Sequence, residues 1–121
     1  LIVAGLDTSP LRDYREVAEG LGMDTLVEAH SLEEAETALE TGATLVGVNN
    51  RDLTTFETDL AATEKTVPKI ASRATVVSES ALASHEDVQR VAAAGARAVL
   101  IGTTFCRAPD VGAKVREVMG W

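Results

Sequence analysis

The sequence of 121 residues predicts an α/β fold in which short parallel strands alternate with helices. Three observations carry that expectation. One phrase recurs along the chain: an amphipathic segment, a glycine, two or so further residues, then a short apolar run. It is written as "AEGLGMDTLVEAH", "LETGATLVGVNN" and "AAAGARAVLIGTT". The apolar runs are too short and too uniform for half-exposed strands, so they read as strands buried in a parallel sheet. Helix-start residues precede the amphipathic segments, and polar residues gather where the apolar runs stop.

The elements follow in order. "LIVAG" at residues 1–5 is expected as a first strand. Ser9 before Pro10 is an N-cap followed by a first-turn proline, opening a helix over about 10–20. Gly22 suits the left-handed position past that helix, and the next strand ends at Glu28 and His30. Ser31 with Glu34 forms a capping box for a helix over 32–41; Gly42 closes it, and Leu45 to Val48 run into Asn49 and Asn50. A helix over 59–67 leads to "ATVVSES" at 74–80. Ser84 with Asp87 is a weaker box for a helix over 85–94, and after Gly95 the last strand ends at Gly102, Thr103 and Thr104. Pro109 and Asp110 start a final helix over 110–119. This makes five strand–helix units in a single domain spanning 1–121. Glu33, Glu34, Glu36 and Glu40 fill the helix face opposite Leu32, Ala35, Ala38 and Leu39, the pattern of a solvated face and not of a metal site.

Composition narrows the function classes. With 11 Lys and Arg against 19 Asp and Glu the formal charge is −8, and no basic cluster offers itself to a polyanion. The aromatics are Tyr14, Phe56, Phe105 and Trp121, too few to stack bases, so nucleic acid is not expected as a partner. Cys106 stands alone and can form no internal disulfide. No apolar run reaches the roughly eighteen residues that a bilayer requires, and no leader precedes the first strand. The expectation is a soluble cytoplasmic protein without membrane contact.

Parallel α/β architectures place their chemistry at the C-terminal ends of the strands, where the polar residues fall here. Glu28 follows Thr25, Leu26 and Val27, where a carboxylate needs a partner or a raised pKa; the alternative is a salt-bridged or capping group. His30 reads as an orienting or exposed side chain and His85 as a surface one. Asn49 is either a site amide or one that satisfies loop backbone, and Arg51 with Asp52 is either part of a site or a structural ion pair. "SES" and "IGTT" are consecutive strand-to-helix turns rich in small residues and hydroxyls. Such turns let backbone N–H groups approach phosphate oxygens, and they are also ordinary turn chemistry.

Together "LVEAHSLEEAETALETGATLVGVNNRDLTTFETDL", "VVSES" and "AGARAVLIGTTFCRAPDVG" resemble the indole-3-glycerol-phosphate synthase family of tryptophan biosynthesis. The Asn-Asn-Arg-Asp-Leu block is the most specific part. The resemblance implies a (βα)5 portion of a TIM (β/α)8 barrel, with "LIVAG" as the fourth strand. It implies ring closure of 1-(2-carboxyphenylamino)-1-deoxyribulose 5-phosphate, with loss of carbon dioxide and water, and no cofactor or metal. On matching positions Glu28 resembles the general base, Asn49 the amide that contacts substrate, and Glu79 an active-site carboxylate. Ser80 and Ala81 with Gly102 and Thr103 match the phosphate cradle, and Arg51 matches the arginine after the sixth strand. Ala81 stands where the family usually has glycine, and "GTTFCRA" departs from the usual pattern, although Arg107 and Pro109 remain. The family's catalytic lysines lie on strands one and three. Lys65, Lys69 and Lys114 fall on predicted helices, so the chain alone is expected to be inactive and to need an N-terminal half-barrel partner. The alternative is a non-catalytic half-barrel that self-associates and keeps a phosphate pocket.

Overall fold

The computed structural model describes residues 1–121. Its sheet has four parallel strands in sequential order: β1 (Val27–Ala29), β2 (Leu45–Asn49), β3 (Thr75–Glu79) and β4 (Ala98–Leu100). The helices are α1 (Thr8–Gly20), α2 (Leu32–Glu40), α3 (Ala61–Ile70), α4 (His85–Ala93), a single-turn α5 (Thr103–Cys106) and α6 (Val111–Met119). Val27, Val46, Val48 and Val76 point from the sheet into one core with Leu11, Ala35, Ala38, Val67 and Ile70 from the helices. The alanines let helices approach strands that are themselves β-branched. A smaller cluster of Leu60, Leu82 and Val91 fills the space under the later helices, with Val99 and Ile101 packed against it.

Register then decides what the other face carries. Glu28 pairs with Gly47 and Gly47 with Val77; Asn49 pairs with Glu79 and Glu79 with Leu100. Because side chains alternate along a strand, these residues share the face turned away from the helices.

The expected first strand is not formed. Leu1 and Ile2 lie beside β1, where Glu28 N–H donates to the Leu1 carbonyl at 2.7 Å and Ile2 makes one parallel bridge to Glu28. Val3–Gly5 then curl into a 3₁₀ turn closed by bonds to Ile2 and Val3 carbonyls, which ends the ladder after one residue. The result is four strands with a single added bridge, not five full strand–helix units.

The caps also fall differently from the sequence reading. The complete capping box is Ser84 with Asp87: Asp87 N–H donates to Ser84 Oγ, and Ser84 N–H donates to Asp87 Oδ2. At α2 the Ser31 hydroxyl accepts from Glu34 N–H, but the Glu34 carboxylate reaches past Ser31 to His30 N–H. Helix α3 runs beyond its expected end at residue 67, with Pro68 inside it. A proline there removes one N–H; Val67 and Ile70, both fully buried, hold the last turn against the sheet. Its start at Ala61 is set by Asp59, whose carboxylate accepts the Ala61 N–H.

Candidate functional site

The site is built at the C-terminal ends of β1, β2 and β3. Asn49 is the hinge between them. Its Nδ2 donates to Glu28 Oε1 at 2.7 Å, while its Oδ1 accepts the Arg51 N–H at 2.9 Å. Since only oxygen can accept from that N–H, the loop bond fixes the amide orientation and leaves the NH2 group facing Glu28. The two readings of Asn49 are therefore both realised: one end satisfies loop backbone and the other holds a carboxylate. His30 takes the orienting role, its Nδ1–H donating to the Asn49 carbonyl at 2.8 Å.

Glu79 completes the cluster. It is 5% exposed, and its Oε1 has no hydrogen-bond partner. Burial, reinforced by the Glu28 carboxylate and opposed by the Leu1 ammonium, pushes its carboxyl up to about 7. A buried acid that holds its proton near neutrality is the kind of group that acts as donor in acid–base sites.

A second group of residues lines a cleft of about 690 Å³ beside the carboxyls, among them Arg51, Ser80, Ala81, Gly102, Thr103 and Arg107. Ser80 and Ala81 are consecutive left-handed residues, with φ of 64° and 62°. The turn they make leaves the N–H groups of Ala81 and Leu82 without a partner in the chain, as is that of Gly102. The Ala81 methyl packs on the Leu60, Leu82 and Val91 cluster and so helps to anchor the turn. Thr104 Oγ1 donates to the Leu82 carbonyl at 2.7 Å and ties the two turns together.

Arg51 and Asp52 do not form an ion pair. Arg51 Nη1 reaches the Phe56 carbonyl at 3.5 Å, whereas Asp52 Oδ1 accepts from Thr54 and Thr55 N–H at 2.7 and 3.0 Å. The N–H groups of Thr55 and Thr54 lower the Asp52 pKa below its ordinary value. Arg51 is thereby free to line the cleft. His85, the expected surface residue, is exposed but seats the end of α6: its Nδ1–H donates to the Val118 carbonyl at 3.1 Å.

Two functional positions escaped the sequence reading. Asn50 is 1% exposed and is the most connected side chain in the region. Its Nδ2 donates to Ser78 Oγ, to the Glu79 carbonyl and to the Ser80 carbonyl, and its Oδ1 accepts the Thr63 N–H. The loop, α3 and the end of β3 are locked together through it. Gly47 lies at the centre of β2, where a Cβ would overlap Glu79 Oε1 and stand 2.8 Å from its carboxyl carbon. The signal that could have found it is a glycine inside an apolar strand, which marks close approach by another group.

Comparison with known proteins fits this geometry. The family model for indole-3-glycerol phosphate synthase matches residues 1–118. The chain is 48% identical over 117 residues to indole-3-glycerol phosphate synthase of Acetivibrio thermocellus, covering 97% of this chain and 45% of that protein. It is 47% identical over 120 residues to that of Carboxydothermus hydrogenoformans, covering 98% of this chain and 45% of the relative. Among solved structures, a thiamine phosphate pyrophosphorylase from Pyrococcus furiosus superposes with a TM-score of 0.74 at 21% identity, over 92% of this chain and 53% of the other. A KDPGal structure matches at 0.65 and 19% identity, over 93% and 51%. These likenesses speak to fold alone, and the fold is an incomplete portion of a (β/α)8 barrel. With its strand-end carboxyls, its Asn-Asn-Arg-Asp block and a match along nearly its whole length, the chain belongs to the indole-3-glycerol phosphate synthase family and spans just under half the length of the curated relatives it matches.

Proposed function

We propose that this chain carries the proton-accepting and phosphate-holding part of an indole-3-glycerol phosphate synthase. In that reaction 1-(2-carboxyphenylamino)-1-deoxyribulose 5-phosphate closes its ring with loss of carbon dioxide and water. The observation that carries the reading is the Glu28–Asn49 bond at 2.7 Å with the buried Glu79 alongside. The Asn49 amide orients the Glu28 carboxylate to take a proton in the dehydration step. Substrate phosphate sits in the neighbouring cleft, met by the N–H groups of Ala81, Leu82 and Gly102 and by the charges of Arg51 and Arg107. Ser80 and Thr103 offer hydroxyls at its rim. Anchoring the phosphate there orients the rest of the substrate over the carboxyls.

Ring closure also calls for an acid on the carbonyl oxygen. Lys65 and Lys69 lie on α3 and Lys114 on α6, in the helical layer, and Lys114 is bonded to Glu117. The chain on its own is therefore proposed to be inactive, and a segment that supplies the lysines of the family's N-terminal strands is the partner that completes it. No cofactor or metal takes part in this reading, and the compartment that goes with it is the cytoplasm. The test is formation of the fluorescent indole product from the carboxyphenylamino substrate, by the chain alone and with the N-terminal half of a relative added. Turnover only in the mixture, lost on Glu28→Gln, supports the proposal; turnover by the chain alone, or by the Glu28→Gln mixture at an undiminished rate, overturns it.

A further inference from the structure

Gly47 has no reason to be a glycine on backbone grounds, since β2 is regular through it and pairs with strands on both sides. A glycine there forfeits side-chain packing and adds disorder to the unfolded chain. What it leaves is space, and Glu79 fills it. A Cβ on Gly47 would overlap Glu79 Oε1 and stand 2.8 Å from its carboxyl carbon, with Leu26 Cδ1 next at 3.4 Å. Glu28 stands directly across from Gly47 in the β1–β2 register. The Glu79 carboxyl is thus laid over bare backbone on the same face as Glu28, 95% out of solvent's reach and with Oε1 unpartnered. Glu28, by contrast, takes the Asn49 amide on its own Oε1.

We propose that Gly47 is a positioning residue whose bare backbone seats the Glu79 carboxyl on the face that carries Glu28, so that Glu79 serves there as a proton donor. Glu79 keeps its proton because burial, reinforced by the Glu28 carboxylate, disfavours its charged form. The charged groups acting on Glu79 are Glu28 from β1 and the Leu1 ammonium beside it; no arginine or lysine bridges it. The pair can then accept a proton at Glu28 and release one from Glu79, keeping its total unchanged. This inference deepens the ring-closure reading, on which the role of Glu28 as acceptor rests. It assigns this chain a proton donor of its own.

The test is carboxyl carbon-13 NMR titration of the purified chain and of its Glu28→Gln and Gly47→Ala variants. In the parent chain Glu79 is expected to titrate at about 7. Removing the charge in Glu28→Gln should shift that midpoint downward, and Gly47→Ala should send it into the ordinary carboxylate range by driving the carboxyl out of its seat. Should Gly47→Ala not fold, urea midpoints of Glu79→Ala and of the Gly47→Ala/Glu79→Ala double variant decide: equal midpoints mean that Gly47 matters only through Glu79. A Glu79 midpoint that neither variant moves, or a Gly47→Ala penalty that persists without Glu79, overturns the proposal. Neither readout depends on turnover, so failure of the ring-closure reading would appear in the product assay alone.

Discussion

Glu79→Gln tests the electrostatics of the site through stability. The Glu79 carboxyl goes from an ordinary value of 4.5 when unfolded to about 7 when folded. A raised carboxyl favours folding fully below the unfolded value, and that contribution is lost as pH rises through the folded one. A difference of about 2.5 pKa units corresponds to about 3 kcal/mol between acid and alkaline limits. Of this, about 2 kcal/mol falls between pH 5.5 and 8.5, where the other acidic groups have mostly finished titrating. The glutamine keeps the shape and carries no charge, so the variant should lack this slope and gain on the parent by that amount across the window. Urea unfolding of both chains at several pH values from 5.5 to 8.5 measures it. Parallel stability profiles for parent and variant would refute the claim that Glu79 is folded with its proton near neutrality.

Other perturbations probe the scaffold and the cleft. Asn50→Ala strands the buried Thr63 N–H and removes the side-chain bonds to Ser78, Glu79 and Ser80, leaving the Ser78 hydroxyl only its Thr63 Oγ1 partner, and should cost about 3 kcal/mol in urea unfolding. Ser84→Ala removes the α4 N-cap and should cost about 1 kcal/mol by the same assay, with no effect on anion binding. Arg107→Met should weaken inorganic phosphate binding by calorimetry about tenfold and reduce its salt dependence, since one of two cleft arginines is lost. Thermal unfolding of Arg107→Met should match the parent, because Arg107 is exposed and takes part in no ion pair.

Strands β1, β2 and β4 were legible because each was announced twice, by the helix-ending glycine before it and by its own apolar run, whereas β3 was announced by its β-branched run alone. The strand-end polar residues were legible for the same reason: Asn49 and Glu79 interrupt apolar runs where burial is certain. "LIVAG" misled because its composition suits a strand as well as any other run. Its pairing depends on contacts beyond Ile2 that these residues do not make, and the local 3₁₀ turn takes over. Asn50 was legible only as a polar strand end and Gly47 only as a glycine inside an apolar run; their roles depend on distant partners. The first works through carbonyls and hydroxyls brought from residues up to 30 positions away, and the second through a side chain 32 residues on. Capping strength went astray at Ser31 and Ser84 because the Glu34 carboxylate takes only the His30 N–H, whereas the Asp87 carboxylate takes the N–H groups of both Ala83 and Ser84.

In the proposed reaction one ligand spans the carboxyl cluster and the adjacent cleft. The most direct measurement is a backbone amide NMR titration of the chain with indole-3-glycerol phosphate. Saturable shifts should cluster at Glu28, Asn49, Ala81, Leu82, Gly102 and Thr103, with inorganic phosphate reproducing only those at Ala81, Leu82, Gly102 and Thr103. Shifts confined to the separate groove around His30, Lys65 and Lys69, or no saturable shift at all, would contradict that reading.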